Sequence, residues 1–314
     1  MVDVTGQPIG ALAGETGRIH PAGRRRTNWT PYLFIVPALL IVLAVAVYPI
    51  GYEIYLSFTD WYLLKNPDPI WQGLGGYRRL LSDPVIWDSL RLTAYWTIGT
   101  VALEYLLALP LAMLLNRRSA LNGVLTAVIL LPWVTPGIVV AYTFRWLLDG
   151  QYGIIHAILQ SLHIVGERSV LSNPDLALPT LIVISAWKGA PFMVVALLAT
   201  MKSIPRELYE AAALDGAGLW KQFRDITLPL VRRVSIVLSL VLGILAFYSF
   251  DIIWVMTQGG PAGSTQLIGV YLFRSFFERL EFSYAATMGV SMLVLLVIFS
   301  TLYLRLAGRE EADR

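Results

Sequence analysis

Ser203-Ile204-Pro205-Arg206-Glu207-Leu208-Tyr209-Glu210-Ala211-Ala212-Ala213-Leu214-Asp215-Gly216-Ala217-Gly218, continuing through Leu219 to Pro229, is the stretch that sets the fold of this chain. Apolar runs long enough to cross a bilayer lie on both sides of it. Between them, local chemistry starts and stops helices. Ser203 is placed to cap an N-terminus, Pro205 suits a first turn, and Glu207 suits the positive end of a helix dipole. Asp215-Gly216 then ends the helix, because glycine enters the left-handed conformations a tight turn needs. A second short helix is expected over Leu219 to Thr227, with Lys221 and Arg224 turned outward and a stop before Pro229. A helix-turn-helix of this polarity at a membrane surface is shaped to be gripped by a partner. The plainer alternative is an amphipathic interfacial helix with none.

Composition agrees with a chain that lives in lipid. Hydrophobic residues make up 56% and charged residues 14%, against roughly 45–50% and 25% in an ordinary soluble domain. The mean hydropathy of +0.64 points the same way, to a polytopic all-α membrane protein. A net charge of +3 with no basic cluster argues against nucleic acid as a partner. Without cysteine there is no disulfide, thiol catalysis or thiolate metal site. Six spans would put both termini on one side. That side, which also carries the 203–229 loop, holds 15 of the 24 Lys and Arg residues. The positive-inside rule therefore places it in the cytoplasm.

The spans are expected at about 32–56, 90–115, 124–147, 178–201, 233–257 and 284–306, within a membrane domain over 31–307. Cytoplasmic tails over 1–30 and 308–314 flank it, the first polar and without periodicity. Arg24-Arg25-Arg26 before an apolar run is reminiscent of a secretory signal, but the run is too long and lacks a cleavage site, so a retained span is expected. Pro37 and Pro49 should bend the first span, and Pro132 and Pro136 should interrupt the third. The external segments should include a short interfacial helix over Tyr152 to Leu162, a turn at Gly259-Gly260-Pro261-Ala262-Gly263 and an amphipathic connector from Tyr271 to Phe282.

No nucleotide-cradling G-x-x-x-x-G-K-[ST] and no H-E-x-x-H is present. His156 and His163 alone are too few for a metal site and read as solvated interfacial side chains. More telling are Glu104, Lys188 and Asp251, ionisable groups within or near spans. Each costs about 2.5–3.5 kcal/mol at mid-helix and should face the bundle interior. They can pair with one another, or they can line a path for a polar solute. Aromatic and hydrogen-bonding groups suited to a sugar gather on the same spans: Tyr142, Arg145 and Trp146, then Trp187, then Tyr248, Ser249 and Trp254.

The spacing Glu210-Ala211-Ala212, three residues, Gly216, nine residues, Ile226, one residue, Leu228-Pro229 resembles the EAA signature of ABC-importer permeases. Tyr48-Pro49-Ile50, Ser57-Phe58-Thr59-Asp60-Trp61, Gly75-Gly76-Tyr77, Leu131-Pro132-Trp133, Trp187-Lys188-Gly189-Ala190-Pro191-Phe192 and Gly259-Gly260-Pro261 resemble the maltose and glycerol-3-phosphate branch. The resemblance implies a six-helix, type I importer permease in the bacterial-type inner membrane. It further implies a second homologous permease subunit, two ATPase subunits that bind ATP and magnesium, and an extracytoplasmic solute-binding protein. This chain would bind no cofactor and would be no enzyme. Arg206, Glu207, Glu210, Ala211, Ala212, Asp215 and Gly216 would engage the ATPase. Glu104, Tyr142, Arg145, Trp187, Lys188, Tyr248, Ser249 and Asp251 would line the solute path. Tyr248 and Ser249 stand where the maltose subunit has amides. A sugar moved by ATP-driven alternating access is the function implied. A glycerophospho-solute, with Arg145 and Lys188 as counter-charge, and an ion-coupled transporter using Glu104, Lys188 and Asp251 as relays are the alternatives.

Overall fold

The computed structural model describes residues 30–117 and 119–312; the first tail, Arg118 and the last two residues lie outside them. The chain divides into two units, Met1–Gly51 and Tyr52–Arg314. Five helices are long and apolar enough to cross a membrane, or six if one bent pair is a single span. The fold is thus all-α, as expected. In chain order the first is α1, Phe34–Ser57. In its Met1–Gly51 portion the apolar side chains from Phe34 to Tyr48 are exposed. Pro37 lies inside the helix, and a wide turn at Leu43–Val47 comes just before Pro49.

Within the second unit, a two-residue ribbon, β1 (Thr59–Asp60) against β2 (Ile70–Trp71), pairs antiparallel and precedes α2, Gly75–Ser82. The longest span, α3, runs Pro84–Asn116. Asp83 fixes its start by accepting a 2.9 Å hydrogen bond from the Val85 N–H, with Pro84 in the first turn. The third crossing is broken: α4 (Asn122–Val134) and α5 (Gly137–Leu147) meet at 90°. Pro136 causes the break by holding Thr135 in the extended region (φ −69°, ψ 130°), while Pro132 stays inside α4. The short helix α6, Ile154–Ser161, follows, and α7, Pro174–Ser203, is capped by Asn173.

The polar stretch forms α8, Arg206–Leu214. Ser203 is not its cap: it ends α7, its hydroxyl donating to the Thr200 carbonyl, and Pro205 precedes α8. The C-terminus is closed by two bonds, Ala217 N–H to Ala212 O at 2.8 Å and Gly216 N–H to Ala213 O at 3.0 Å. Gly216 has a φ of +76°. This six-to-one and five-to-two pairing is the glycine-closed helix end that the sequence implied.

The second short helix does not stop before Pro229. It runs on as α9, Leu219–Phe247, through a wide turn at Phe223–Thr227. A five-residue turn loosens the ladder just where the proline ring would strike the carbonyl four residues back, so Pro229 is absorbed. The fifth span is shorter than expected at its other end. It stops at Phe247, and Asp251–Thr257 is a separate helix, α10, packed on α5. The connector is α11, Ile268–Phe273, with a wide turn at Arg274–Glu278, and the last helix is α12, Phe282–Ala312.

Helices α3 and α7 pack together along their length and carry most of the interior. Trp96, Leu181, Ile253 and Leu267 form one buried cluster, and Ala112, Met193, Leu197 and Val231 another. Trp96 is fully buried and donates its indole N–H to the Ala246 carbonyl at 2.9 Å, tying α3 to the end of α9. His156 corrects the sequence reading. It is 2% exposed, not solvated, and neither ring nitrogen has a partner among the described residues.

Candidate functional site

Where α3, α4, α5, α7 and the α9–α10 break converge, a cavity of about 470 Å³ opens. Two breaks make it. The bend at Pro136 brings Gly137 to its wall, and the turn after Phe247 brings Tyr248, Ser249 and Asp251. Phe250 makes no side-chain cap at the start of α10, and Asp251 stands in its first turn, where an acidic side chain suits the helix dipole. Phe250 is held back by stacking on Trp254 at 5.5 Å between ring centroids and by Phe273 at 4.8 Å. Trp133 and Phe192 stack at 5.7 Å and supply the aromatic part of the wall.

Five of the eight side chains expected along a solute path lie together here: Glu104, Lys188, Tyr248, Ser249 and Asp251. The other three lie elsewhere. Arg145 donates to the Val255 carbonyl at 2.8 Å, locking α5 to α10. Trp187 packs edge-on against Phe144, with centroids 5.3 Å apart, and Tyr142 is exposed on α5. Glu104, Lys188 and Asp251 form no ion pair with one another within bonding distance among the described residues. Lys188 and Asp251 both approach Gly137, where an added Cβ would meet Lys188 Cε at 3.9 Å and Asp251 Oδ2 at 4.0 Å.

Glu104 is the most constrained of these groups. It is 5% exposed, and its Oε2 has no hydrogen-bond partner among the described residues. Its carboxyl lies against the backbone of Gly189: a Cβ there would fall 1.9 Å from Glu104 Oε1 and 2.8 Å from Cδ. Thr100, one turn earlier on α3, lines the same cavity, and its hydroxyl is likewise buried without a partner. Buried polar groups are nearly always hydrogen-bonded, and leaving one unpaired costs about 1–3 kcal/mol. Both unpaired oxygens lie on one face of α3, one turn apart, behind the surface of the cavity.

Thr100, Ser185 and Gly189 are lining residues the sequence reading missed. The signal for Thr100 was its place four residues before an intramembrane glutamate. Glu53 was also missed, although it too is an ionisable residue in a span. Its carboxyl occupies a second glycine notch, where a Cβ on Gly289 would lie 2.0 Å from Glu53 Oε1.

At the other functional stretch, α8 has no buried residue. Glu210 pairs with Arg206 on its own helix at 3.0 Å, both side chains being largely exposed. Such a pair contributes little and is readily exchanged for another partner. Among the described residues, the side-chain hydrogen bond that ties the helix inward is that of Tyr209, its hydroxyl 2.9 Å from Thr227 Oγ1 in the wide turn. Leu214 is 90% exposed and Trp220 72%.

Residues 105–311 match the family model described as the binding-protein-dependent transport system inner membrane component. The chain is 35% identical over 283 residues to the trehalose/maltose transport system permease protein of Thermococcus litoralis, covering 90% of this chain and 94% of that one. It is 30% identical to the sulfoquinovosyl glycerol transport system permease protein of Agrobacterium fabrum, over 87% of this chain and 89% of that one. A crystal structure of a bacterial ABC transporter that imports the acidic polysaccharide alginate contains a chain that superposes with a TM-score of 0.77. That match has 21% identity and covers 90% of this chain and 96% of that one, a likeness of fold.

Proposed function

The chain belongs to the family of inner-membrane components of binding-protein-dependent transport systems, and from that premise we propose that it is the permease subunit through which a saccharide enters the cell. The observation that carries the proposal is α8, a nine-residue helix without a buried side chain, set between two membrane-length helices. A helix that buries nothing of itself, yet is closed with care at Gly216, is built to be covered by another subunit. The relatives whose names specify a solute carry saccharides or a sugar glycoside, and the cavity beside Trp133 and Tyr248 has the aromatic and hydroxyl-binding groups that such a solute needs.

In this reading the side carrying α8 and both termini faces the cytoplasm, in keeping with its excess of Lys and Arg. ATPase subunits, which hold the ATP and magnesium, grip Arg206, Glu207, Glu210, Ala211, Ala212, Asp215 and Gly216. A second permease subunit completes the pathway, and an extracytoplasmic receptor delivers the solute. ATPase closure displaces α8. Tyr209 and the helix from Leu219 to Phe247, continuous through its wide turn, then pass that displacement to Tyr248 and Ser249 at the cavity. Closure would open the cavity to one side and then the other.

The test is uptake of labelled sugar by cells carrying the intact system, with the protein level in membranes measured in parallel. Glu210→Ala and Gly216→Ala should each lower uptake at least ten-fold while leaving the membrane level unchanged. Undiminished uptake in both variants rules out α8 as the lever. Uptake that survives ATP depletion but collapses with an ionophore would instead assign an ion-coupled transporter.

A further inference from the structure

Basic side chains at the α8 end of the helices are of two kinds. Arg206 pairs with Glu210 and Arg224 with Asp225, so these charges are balanced within the polar loop itself. Arg117 and Lys202 are not balanced: among the described residues neither has a carboxylate partner. Although far apart in the chain, both line a hollow of about 510 Å³ where α3 ends at Asn116, α4 begins at Asn122 and α7 ends at Ser203. No Asp or Glu is among its lining residues. The connection from α3 to α4 that forms one wall is fixed by its own bonds. Asn122 Nδ2 donates to the carbonyls of Leu115 and Arg117, and Ser119 Oγ accepts from the Leu121 N–H at 3.2 Å. The Ser119 hydroxyl keeps its proton to donate. Two cations and a hydroxyl without a carboxylate suit an anion that offers several acceptor oxygens. The border of the hollow indicates which anion. Leu114, Leu121 and Val124 beside it are each more than half exposed. A free ion has no use for such an apolar border, whereas a lipid whose headgroup sits in the hollow lays its acyl chains along it.

We propose that this hollow binds the phosphodiester headgroup of an anionic glycerophospholipid, with Arg117 and Lys202 as its counter-charges and Leu114, Leu121 and Val124 against its acyl chains. The bound headgroup joins the α3–α4 connection to the end of α7, immediately ahead of α8. Each basic residue near an anionic lipid surface strengthens binding about five-fold, so the two together set a clear preference over a lipid without net charge. The inference does not depend on which solute the chain carries.

The test is native mass spectrometry of the assembled importer, purified through a tag on this chain, delipidated in mild detergent and titrated with phosphatidylglycerol or phosphatidylcholine. The second lipid carries the same phosphodiester without net charge. Membrane level and thermal unfolding are measured for every variant. The parent protein should bind phosphatidylglycerol at least ten-fold more tightly than phosphatidylcholine. Arg117→Gln together with Lys202→Gln should weaken phosphatidylglycerol at least ten-fold and leave phosphatidylcholine unchanged. Arg117→Lys together with Lys202→Arg, which keeps both charges, should retain most of the preference. Equal binding of the two lipids by the parent protein overturns the proposal, as does equal phosphatidylglycerol binding by the parent and the glutamine pair. Displacement of phosphatidylglycerol by excess inorganic phosphate, but not by chloride of equal ionic strength, assigns the hollow to a free ion and overturns the lipid assignment. Loss of the ATPase subunits from the glutamine pair with lipid binding unchanged overturns it in favour of a protein contact. No readout involves a sugar, so each of these failures leaves the saccharide reading untouched.

Discussion

The helix-turn-helix at 203–229 and the junction at the opposite end of the helices are both polar, yet they are held together in opposite ways. In the first, nearly every bond is local. Gly216 and Ala217 bond back to the last turn of α8, Gln222 donates to the Ala217 carbonyl, and Tyr209 reaches only to Thr227. In the second, bonds join residues far apart in the chain. Thr59 and Trp61 both bond to Ser283, Arg79 pairs with Glu281 at 2.7 Å, and Asp83 accepts from Tyr271 and Tyr284 at 2.7 and 2.6 Å. The Arg79 guanidinium also lies 3.9 Å from the centre of the Tyr284 ring. Long-range bonds fix helices to one another, whereas local bonds fix only a shape. One end is therefore a brace and the other a part that keeps its form while being moved.

The largest expected effect is at the brace. Asp83→Ala removes two tyrosine bonds and the cap of α3 together, so unfolding of the purified protein should be destabilised by about 1–3 kcal/mol. An unchanged melting temperature would show that the brace is not one. At the other end, Tyr209→Phe deletes the side-chain hydrogen bond that, among the described residues, ties α8 inward. The amides of 206–214 should exchange several-fold faster, consistent with loss of a bond contributing about 1 kcal/mol, while global unfolding stays within about 0.5 kcal/mol. A global loss as large as that of Asp83→Ala would erase the distinction. The smallest effect is a pH slope. Burial raises the Asp83 carboxyl, but hydrogen bonds from Tyr284, Tyr271 and the Val85 N–H, with the charge of Arg79, outweigh it and leave the group below the ordinary carboxylate range. Its stabilisation is then present above the unfolded carboxyl value of about 3.9 and is lost as pH falls through the lower folded value. Melting followed from pH 5 down to pH 3 should fall less steeply in Asp83→Asn than in the parent protein.

The same contrast explains what could be read from sequence. Asp215-Gly216 and Pro136 act on their own neighbours, so the end of α8 and the bend of the third crossing were visible in advance, whereas Ser203 went to the end of α7 and left the start of α8 to Pro205. The break at Tyr248 to Phe250 has no proline or glycine; it comes from α10 packing on α5 and from rings of Trp254 and Phe273. Glu104, Lys188 and Asp251 stood out because charge in an apolar run is costly. The meaning of Gly189 depends on what faces it across a helix interface, which no window of sequence contains. Tyr142 and Arg145 lie away from the cavity because, beyond a 90° bend, helical periodicity no longer says which face looks inward, and Trp187 is drawn aside by the ring of Phe144. The small ribbon at Thr59–Asp60 and Ile70–Trp71 was missed because two-residue strands carry no alternation to detect.

The wide turn at Phe223–Thr227 also alters the phase of the helix beyond it. It holds one residue more than an α-helical turn, which amounts to about 100° of rotation. A helical wheel drawn without interruption from Leu219 would misassign the faces of the later turns, including the one that carries Leu242 and Ala246 to the cavity. Deleting a single residue inside that turn would restore regular winding and leave the inward-facing stripe where it is; deleting one on either side of it would swing the whole stripe toward lipid.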